Sequence, residues 1–212
     1  MSSVTKFYDQ VGIEGLEALT DEAKRNQSLE LIEKAIRGDT LLEIGCGYGR
    51  LTTPLGKKEY TVVGVDVNQR YVEEAKKRSE DLDVNIHCKN IFQFNPQQKF
   101  DNVLSMWNTL MHFDQNQLVS LFNKVHSWMR DDGIFLAELL YITKKDKQFL
   151  ETVNEGSAFM FEVGENSIPM HLHPPETIRS LLEEANFSSH DVSIHEPYRG
   201  EQLQRIILKA KK

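Results

Sequence analysis

With 212 residues, 40% hydrophobic and 27% charged, the chain is long enough for one globular domain with a real core. A formal net charge of −7 argues against a surface built mainly to hold nucleic acid, and no apolar run approaches the length of a membrane span. The N-terminus MSSVTKFYDQ lacks the apolar core of a secretion signal. Two cysteines, Cys46 and Cys88, suggest no disulfide framework, so both are expected in buried strand or turn positions of a cytoplasmic protein.

Residues 1–38 read as an N-terminal helical cap. In TDEAKRNQSLELIEKAIRG, Thr20 is the expected N-cap, Gly38 the stop, and Ala23, Leu29, Ile32 and Ile36 recur at helical spacing. Strands and helices then alternate. TLLEIG opens the series, and TVVGVD (61–66) follows as a β-branched strand ending in a carboxylate. Asn68 caps the helix QRYVEEAKKRSE, with Val72 and Ala75 facing inward. VNIHCKN (84–90) and FDNVLSMW (100–107) are the third and fourth strands. Residues 115–129 form an amphipathic helix with Leu118, Leu121, Phe122, Val125 and Met129 on one face. Asp132-Gly133 turns into a fifth strand, IFLAELLY. HPPETIRSLLEEANF is the last helix, with Pro175 in its first turn and Asn186 as a left-handed stop. VSIHEP and LQRIILKA have no helix between them and should form an antiparallel hairpin at one edge. The alternation predicts an α/β fold, a mostly parallel sheet covered by helices on both faces. Residues 141–174 are long for a loop, which predicts local structure or a functional role.

The stretch LLEIGCGYGR (41–50) carries the chemistry. Gly45, Gly47 and Gly49 follow a short apolar run and precede a helix, a geometry that aims backbone N–H groups at a ligand. Asp66, Asn90 and Ser105 to Asn108 end the neighbouring strands, where open parallel sheets bind ligands. A carboxylate at Asp66 can accept both hydroxyls of a ribose. A dinucleotide fingerprint, G-x-G-x-x-G, would need glycine where Arg50 stands, and here the third glycine comes one residue early, at Gly49. Glu43 would repel a pyrophosphate but suits a cation, or amino groups near the turn. These residues predict a nucleoside cofactor with positive charge at the turn and disfavour a dehydrogenase.

Glu43-x-Gly45-x-Gly47-x-Gly49 resembles the first motif of the class I S-adenosylmethionine-dependent methyltransferases. VVGVD resembles the second motif, KNIFQF the adenine-binding segment, and FDNVLSMWNTLMHF the fourth strand and its loop. WMRDDGIFLAE resembles the turn into the fifth strand, and SLLEEANF the helix end before the hairpin. The resemblance implies a Rossmann-like, doubly wound, seven-stranded sheet and S-adenosyl-L-methionine as cofactor, with S-adenosyl-L-homocysteine as product. It places Glu43, Gly45, Cys46 and Gly47 at the cofactor, with Asp66 on the ribose, Val67, Asn90 and Ile91 at the adenine, and Met106 in the loop after the fourth strand. From the N-terminal region, Tyr8 and Arg25 would close over the methionine end, Arg25 binding its carboxylate. Asn90 stands where the family often has Asp, and Asp131-Asp132 replaces the common Pro-Gly; neither change removes cofactor binding.

Methyl transfer asks mainly for in-line positioning, so a protein base is needed only if the nucleophile must lose a proton. His112, in the loop near the methyl group in this family, is the candidate base. Trp107 and Tyr141 at strand ends, with His171, are expected to contact the acceptor. Phe159, Met160 and Phe161 are expected in the core of the inserted segment. His171 and His173 form an H-x-H pair, and with His112 could make three metal ligands, but no carboxylate or cysteine adjoins them and no metal is expected. Cys46 has no basic sequence neighbour and is a small filler rather than a nucleophile. The reading is a single domain, 1–212, that methylates an O or N atom of a small or medium-sized molecule. Residues 141–174 would form the acceptor lid. Nucleic-acid and membrane partners are not expected, and the oligomeric state is not legible. Two alternatives stay open: methylation of a protein or RNA residue, and a non-catalytic S-adenosylmethionine-binding role.

Overall fold

The apolar run of each central strand is buried on both sides, as a parallel sheet between two helical layers requires. A computed structural model of the protein describes residues 3–142, 152–153, 158–163, 166–198 and 201–212. In it β1 (Thr40–Ile44), β2 (Thr61–Asp66), β3 (Val84–Cys88), β4 (Phe100–Ser105) and β5 (Met129–Tyr141) run parallel. They join β9 (Ser189–His195) and β10 (Gln204–Lys211) in one seven-stranded sheet, ordered β3-β2-β1-β4-β5-β10-β9. β10 is antiparallel to both β5 and β9, so the terminal hairpin closes the sheet at one edge. Strand order reverses between β1 and β4, and the glycine turn lies at that switch point.

Alternate residues serve the two layers. Leu41, Val62, Leu104, Leu136 and Ile207 pack against Leu29, Ile32, Leu51 and Leu55 of α2 (Glu22–Ala35) and the turn into α3 (Thr52–Lys57). Their neighbours Leu42, Val63, Val103, Phe135 and Ile206 pack on the other side. There they meet α5 (Gln115–Trp128) and α6 (Pro175–Glu184). α4 (Gln69–Arg78) packs Val72 and Ala75 against Ile86 and Cys46, and Asn68 caps it by accepting from the Tyr71 N–H.

The passage from 141 to 174 contains a small antiparallel sheet of β6 (Thr152–Val153), β7 (Ala158–Val163) and β8 (Asn166–His171). Residues 143–151, 154–157 and 164–165 lie outside the described residues. Phe159 is buried in the main core, and Phe161 lies 5.8 Å from the ring of Phe7, on α1 (Ser3–Leu19). α1 bends at Gly12, where φ is 70°.

Two local expectations need correction. α2 is capped by Asp21, whose carboxylate accepts from the Lys24 N–H, because Thr20 turns inward to bond the Leu16 carbonyl and the Tyr48 hydroxyl. Cys88 is exposed, since β3 is an edge strand with one face open. In the turn before the parallel part of β5 the left-handed residue is Asp132, at φ 65°; a Cβ on Gly133 would meet the Arg130 carbonyl at 2.9 Å.

Candidate active site

The glycine turn follows directly from the end of β1. Gly45 N–H donates to the Val65 carbonyl at 2.8 Å, and Gly49 N–H to the Cys46 carbonyl at 3.1 Å. The glycines are not equivalent. A Cβ on Gly45 would lie 2.5 Å from Thr109, and one on Gly49 would press on Thr53 and Ala75, so both serve internal packing. A Cβ on Gly47 would meet nothing within 4 Å, so here the backbone faces open space. That space is a cavity of about 430 Å³, within the usual range for small-molecule sites.

Asp66, at the end of β2, binds the turn from below. One carboxylate oxygen accepts from Gly47 N–H and the other from Asn68 N–H, each at 2.9 Å. Burial raises its pKa and these backbone donors oppose the rise. Each oxygen keeps a further lone pair, and Asp66 lines the cavity. Glu43 is buried under the turn and accepts from the Thr52 hydroxyl. Burial pushes its pKa up to about 7, against the pull of Thr52 and Arg50. Asn90, Ile91 and Val67 line the far end, with Met106 on the wall after β4. The Asn90 side-chain oxygen already accepts from Phe92 N–H at 2.9 Å, capping a short 3-10 turn. Cys46 lines the cavity, and burial raises its thiol well above the usual range, so it stays protonated.

α1 covers the opening. Phe7 is buried, the Tyr71 hydroxyl donates to the Tyr8 carbonyl at 2.5 Å, and Asn68 donates to Asp9 at 2.8 Å. The Tyr8 hydroxyl lies 3.0 Å from His112 Nε2. Burial and Asp66 raise the Tyr8 phenol, while burial and His171 lower His112 to about 4. At neutral pH both groups are uncharged, and the tautomer that places the ring proton on Nε2 or on Nδ1 sets the direction of their bond. The His112 Nδ1 is buried and has no hydrogen-bond partner.

Three expected site residues lie elsewhere among the described residues. Arg25 sits on α2, outside the cavity lining, and pairs with Glu22 at 3.4 Å. Tyr141 pairs with Gln204 across β5 and β10 and packs on the main core. His171 stacks on His173 with ring centres 6.3 Å apart, and His173 Nε2 donates to the Phe113 carbonyl at 2.9 Å. Trp107 does line the cavity, but its ring is stacked between the guanidinium of Arg50 (4.8 Å) and Tyr198 (6.0 Å). Arg50 also lines the cavity, and sequence reasoning had used it only to reject a dinucleotide. Its position at the helix start after the turn was the available signal.

A family model described as a methyltransferase domain matches residues 41–133, from β1 through the glycine turn, Asp66, Asn90 and His112. Over these residues the chain is similar to that methyltransferase domain. Phosphoethanolamine N-methyltransferase 3 of Arabidopsis thaliana is 24% identical over 184 residues, 83% of this chain and 33% of that protein. A ubiquinone biosynthesis O-methyltransferase of Bradyrhizobium diazoefficiens is 35% identical over 71 residues, 32% of this chain and 28% of that protein. The solved structure of an S-adenosylmethionine-dependent methyltransferase from Clostridium acetobutylicum ATCC 824 has the same fold over 99% of both chains, with a TM-score of 0.69 at 19% identity. The chain spans less than two-thirds of the length of the first curated relatives it matches.

The donor set of the cleft fits S-adenosylmethionine, the cofactor named for the solved structures that share this fold. The open backbone at Gly47, the ribose-type acceptor Asp66 and the buried carboxylate Glu43 suit a cationic nucleoside and not a pyrophosphate. No helix among the described residues is long and apolar enough to cross a membrane.

Proposed function

We propose that the chain moves the methyl group of S-adenosylmethionine to an oxygen or nitrogen of a small or medium-sized molecule, in the cytoplasm. The observation that carries this reading is the Asp66 carboxylate bonded to Gly47 N–H, at the one glycine of the turn whose face is open. When bound, S-adenosylmethionine supplies an activated sulfonium methyl. Asp66 would hold the ribose hydroxyls, Val67, Ile91 and Met106 would line the space for the cofactor, and Asn90 would accept from the adenine. Glu43 would attract the amino group, Gly45 and Cys46 shape the turn, and Tyr8 would cover the methionine end.

The proton route runs through Tyr8. An acceptor O–H or N–H gives its proton to the Tyr8 oxygen as Tyr8 passes its own to His112 Nε2 across 3.0 Å. A buried imidazole resists that cation while the cleft holds another positive charge, and the resistance falls once methyl transfer removes the sulfonium charge. The cover of α1 excludes water from this step. Trp107 belongs to the donor end. The acceptor enters between α1 and the small sheet of residues 141–174, and the whole chain acts as one domain. Support for an enclosed small-molecule site comes from the cavity volume, about 430 Å³. Relatives named for phosphoethanolamine and for ubiquinone biosynthesis act at nitrogen and oxygen respectively, which supports the acceptor class.

The test is incubation of the full chain with methyl-labelled S-adenosylmethionine and fractionated metabolite pools. Label transferred to a low-molecular-weight product supports the reading. Label found only in protein or RNA, or donor binding with no transfer to any fraction, counts against it.

A further inference from the structure

Neither His171 nor His173 lines the cavity, and among the described residues no group of three His, Cys, Asp or Glu is placed to hold a metal ion. Yet His173 is only 4% exposed, and its Nε2 lies 2.9 Å from the Phe113 carbonyl. A carbonyl oxygen only accepts, so the ring proton is on Nε2. Burial lowers the pKa of this imidazole to about 4, against the pull of the Phe113 and Leu110 carbonyls, and keeps it uncharged. Its Nδ1 is buried and has no hydrogen-bond partner. An apolar ring would fill this space at a lower desolvation cost, so what histidine adds here is the bond to the backbone beside His112.

The donor of that bond is stiffly mounted. His173 follows the end of β8 and precedes Pro174 and Pro175, and a residue before proline is confined to extended backbone. Pro174 is itself extended, at φ −57° and ψ 150°, and its carbonyl accepts from the Ile178 N–H at 3.1 Å at the start of α6. The acceptor belongs to a weaker element. Thr109–His112 is a short 3-10 turn, closed by the Phe113 N–H on the Leu110 carbonyl at 3.2 Å. Hydrogen bonds in such turns are poorly aligned, so the turn depends on support from outside. It is this turn that aims His112 at Tyr8, with ring centres 5.6 Å apart, planes at 86°, and Nε2 3.0 Å from the hydroxyl. About half an ångström of extra separation takes that pair out of hydrogen-bond range.

We infer that His173 is a positioning residue: its bond to the Phe113 carbonyl holds the 3-10 turn so that His112 stays against the Tyr8 hydroxyl. The small sheet of β6 to β8 thereby reaches the catalytic loop through the chain that leaves β8. The effect on turnover rests on the proton route proposed for the cleft, whereas the effect on the position of His112 does not. Tyr8 from α1 and His171 from β8 are the titratable neighbours of the His112 ring, with Asp66 acting on Tyr8.

The experiment is nitrogen-15 histidine NMR of the full chain across a pH titration, with the His112→Asn spectrum identifying His112 among the seven histidines. In the wild-type protein His112 should stay uncharged down to about pH 4. His173→Gln keeps an amide N–H where Nε2 stands, and His173→Asn puts one where Nδ1 stands; both lose the ring, so the bond is what separates them. The Gln variant should keep the wild-type titration of His112. The Asn variant should release the turn, admit water and raise that titration by about one pH unit or more, towards the ordinary value of 6.5. Label transfer from methyl-labelled S-adenosylmethionine to a small-molecule metabolite fraction should fall about 10- to 100-fold in the Asn variant alone, with S-adenosylhomocysteine affinity within about twofold in both. Equal His112 titrations in the Gln and Asn variants, shifted or not, would overturn the inference. A titration shifted in the Asn variant alone, with undiminished label transfer, would support the positioning of His112 and remove the proton route.

Discussion

The floor and the cover of the cleft are fastened in different ways. The floor consists of the ends of β1, β2 and β4, and its groups are held by bonds from backbone N–H, Gly47 to the Asp66 carboxylate and Gly45 to the Val65 carbonyl. The cover is α1, attached through side chains: Tyr8 to His112, Asn68 to Asp9, and Phe7 in the core. A backbone-held floor is rigid and suits a fixed ligand common to a whole family. A side-chain-held cover can open for an acceptor, and it changes with a few substitutions. Charge follows the same division. Glu43, Asp66 and Arg50 belong to the floor, whereas the cover contributes Tyr8 with Val4, Thr5 and Leu16.

The division is sharpest in variants that separate binding from turnover. His112→Asn should lower kcat by roughly 10²-fold or more while S-adenosylhomocysteine affinity stays within about twofold. Turnover unchanged at every pH would remove His112 from the proton route. Asp66→Ala should do the reverse, weakening cofactor binding by roughly 2–4 kcal/mol in calorimetry, since ribose contacts and the Gly47 anchor are both lost. Unchanged affinity in a folded Asp66→Ala protein would contradict the floor assignment.

The glycines divide again within the floor. Gly45→Ala must displace Thr109 and strain a backbone at φ 74°, so unfolding in denaturant should show a loss of about 2–3 kcal/mol. Gly47→Ala meets no atom and should lose only about 1 kcal/mol of stability, yet weaken S-adenosylhomocysteine markedly. If the two alanines prove equal in both measurements, Gly47 does not face the ligand.

Titration gives the smallest effects. Glu43, raised to about 7, must ionise to face an ammonium group, so cofactor affinity should fall as pH drops below 7. Binding at pH 6.5 should release protons, detectable as a dependence of binding heat on buffer, and Glu43→Gln should abolish it. His112, lowered to about 4, binds no proton in the folded state across a range where the unfolded chain does. Stability should therefore fall as pH is lowered from about 6.5 towards 4, and less steeply in His112→Asn.

What the sequence revealed follows the same line. Floor residues lie within a few positions of a strand end, so the place of Gly45, Gly47, Asp66 and Asn90 at the cavity was legible from local pattern, as was the parallel sheet with its terminal hairpin. Tyr8 and His112 are 104 positions apart, and no local pattern reports such a pairing. Arg25 lies outside the cavity lining and pairs with Glu22, since an arginine on an N-terminal helix can face either side. Tyr141 and His171 sit at strand ends that point to the core and the small sheet, a placement fixed by strand pairing that spacing alone does not determine. Arg50 was read only for what it excludes, because its value lies in the Trp107–Tyr198 stack built from the loop after β4 and the terminal hairpin.

The most direct measurement is calorimetric titration of the full chain with S-adenosylhomocysteine and, separately, with NAD. The account predicts saturable one-to-one binding of S-adenosylhomocysteine that is lost in Asp66→Ala, and no binding of NAD. Saturable binding of NAD with none of S-adenosylhomocysteine would contradict it.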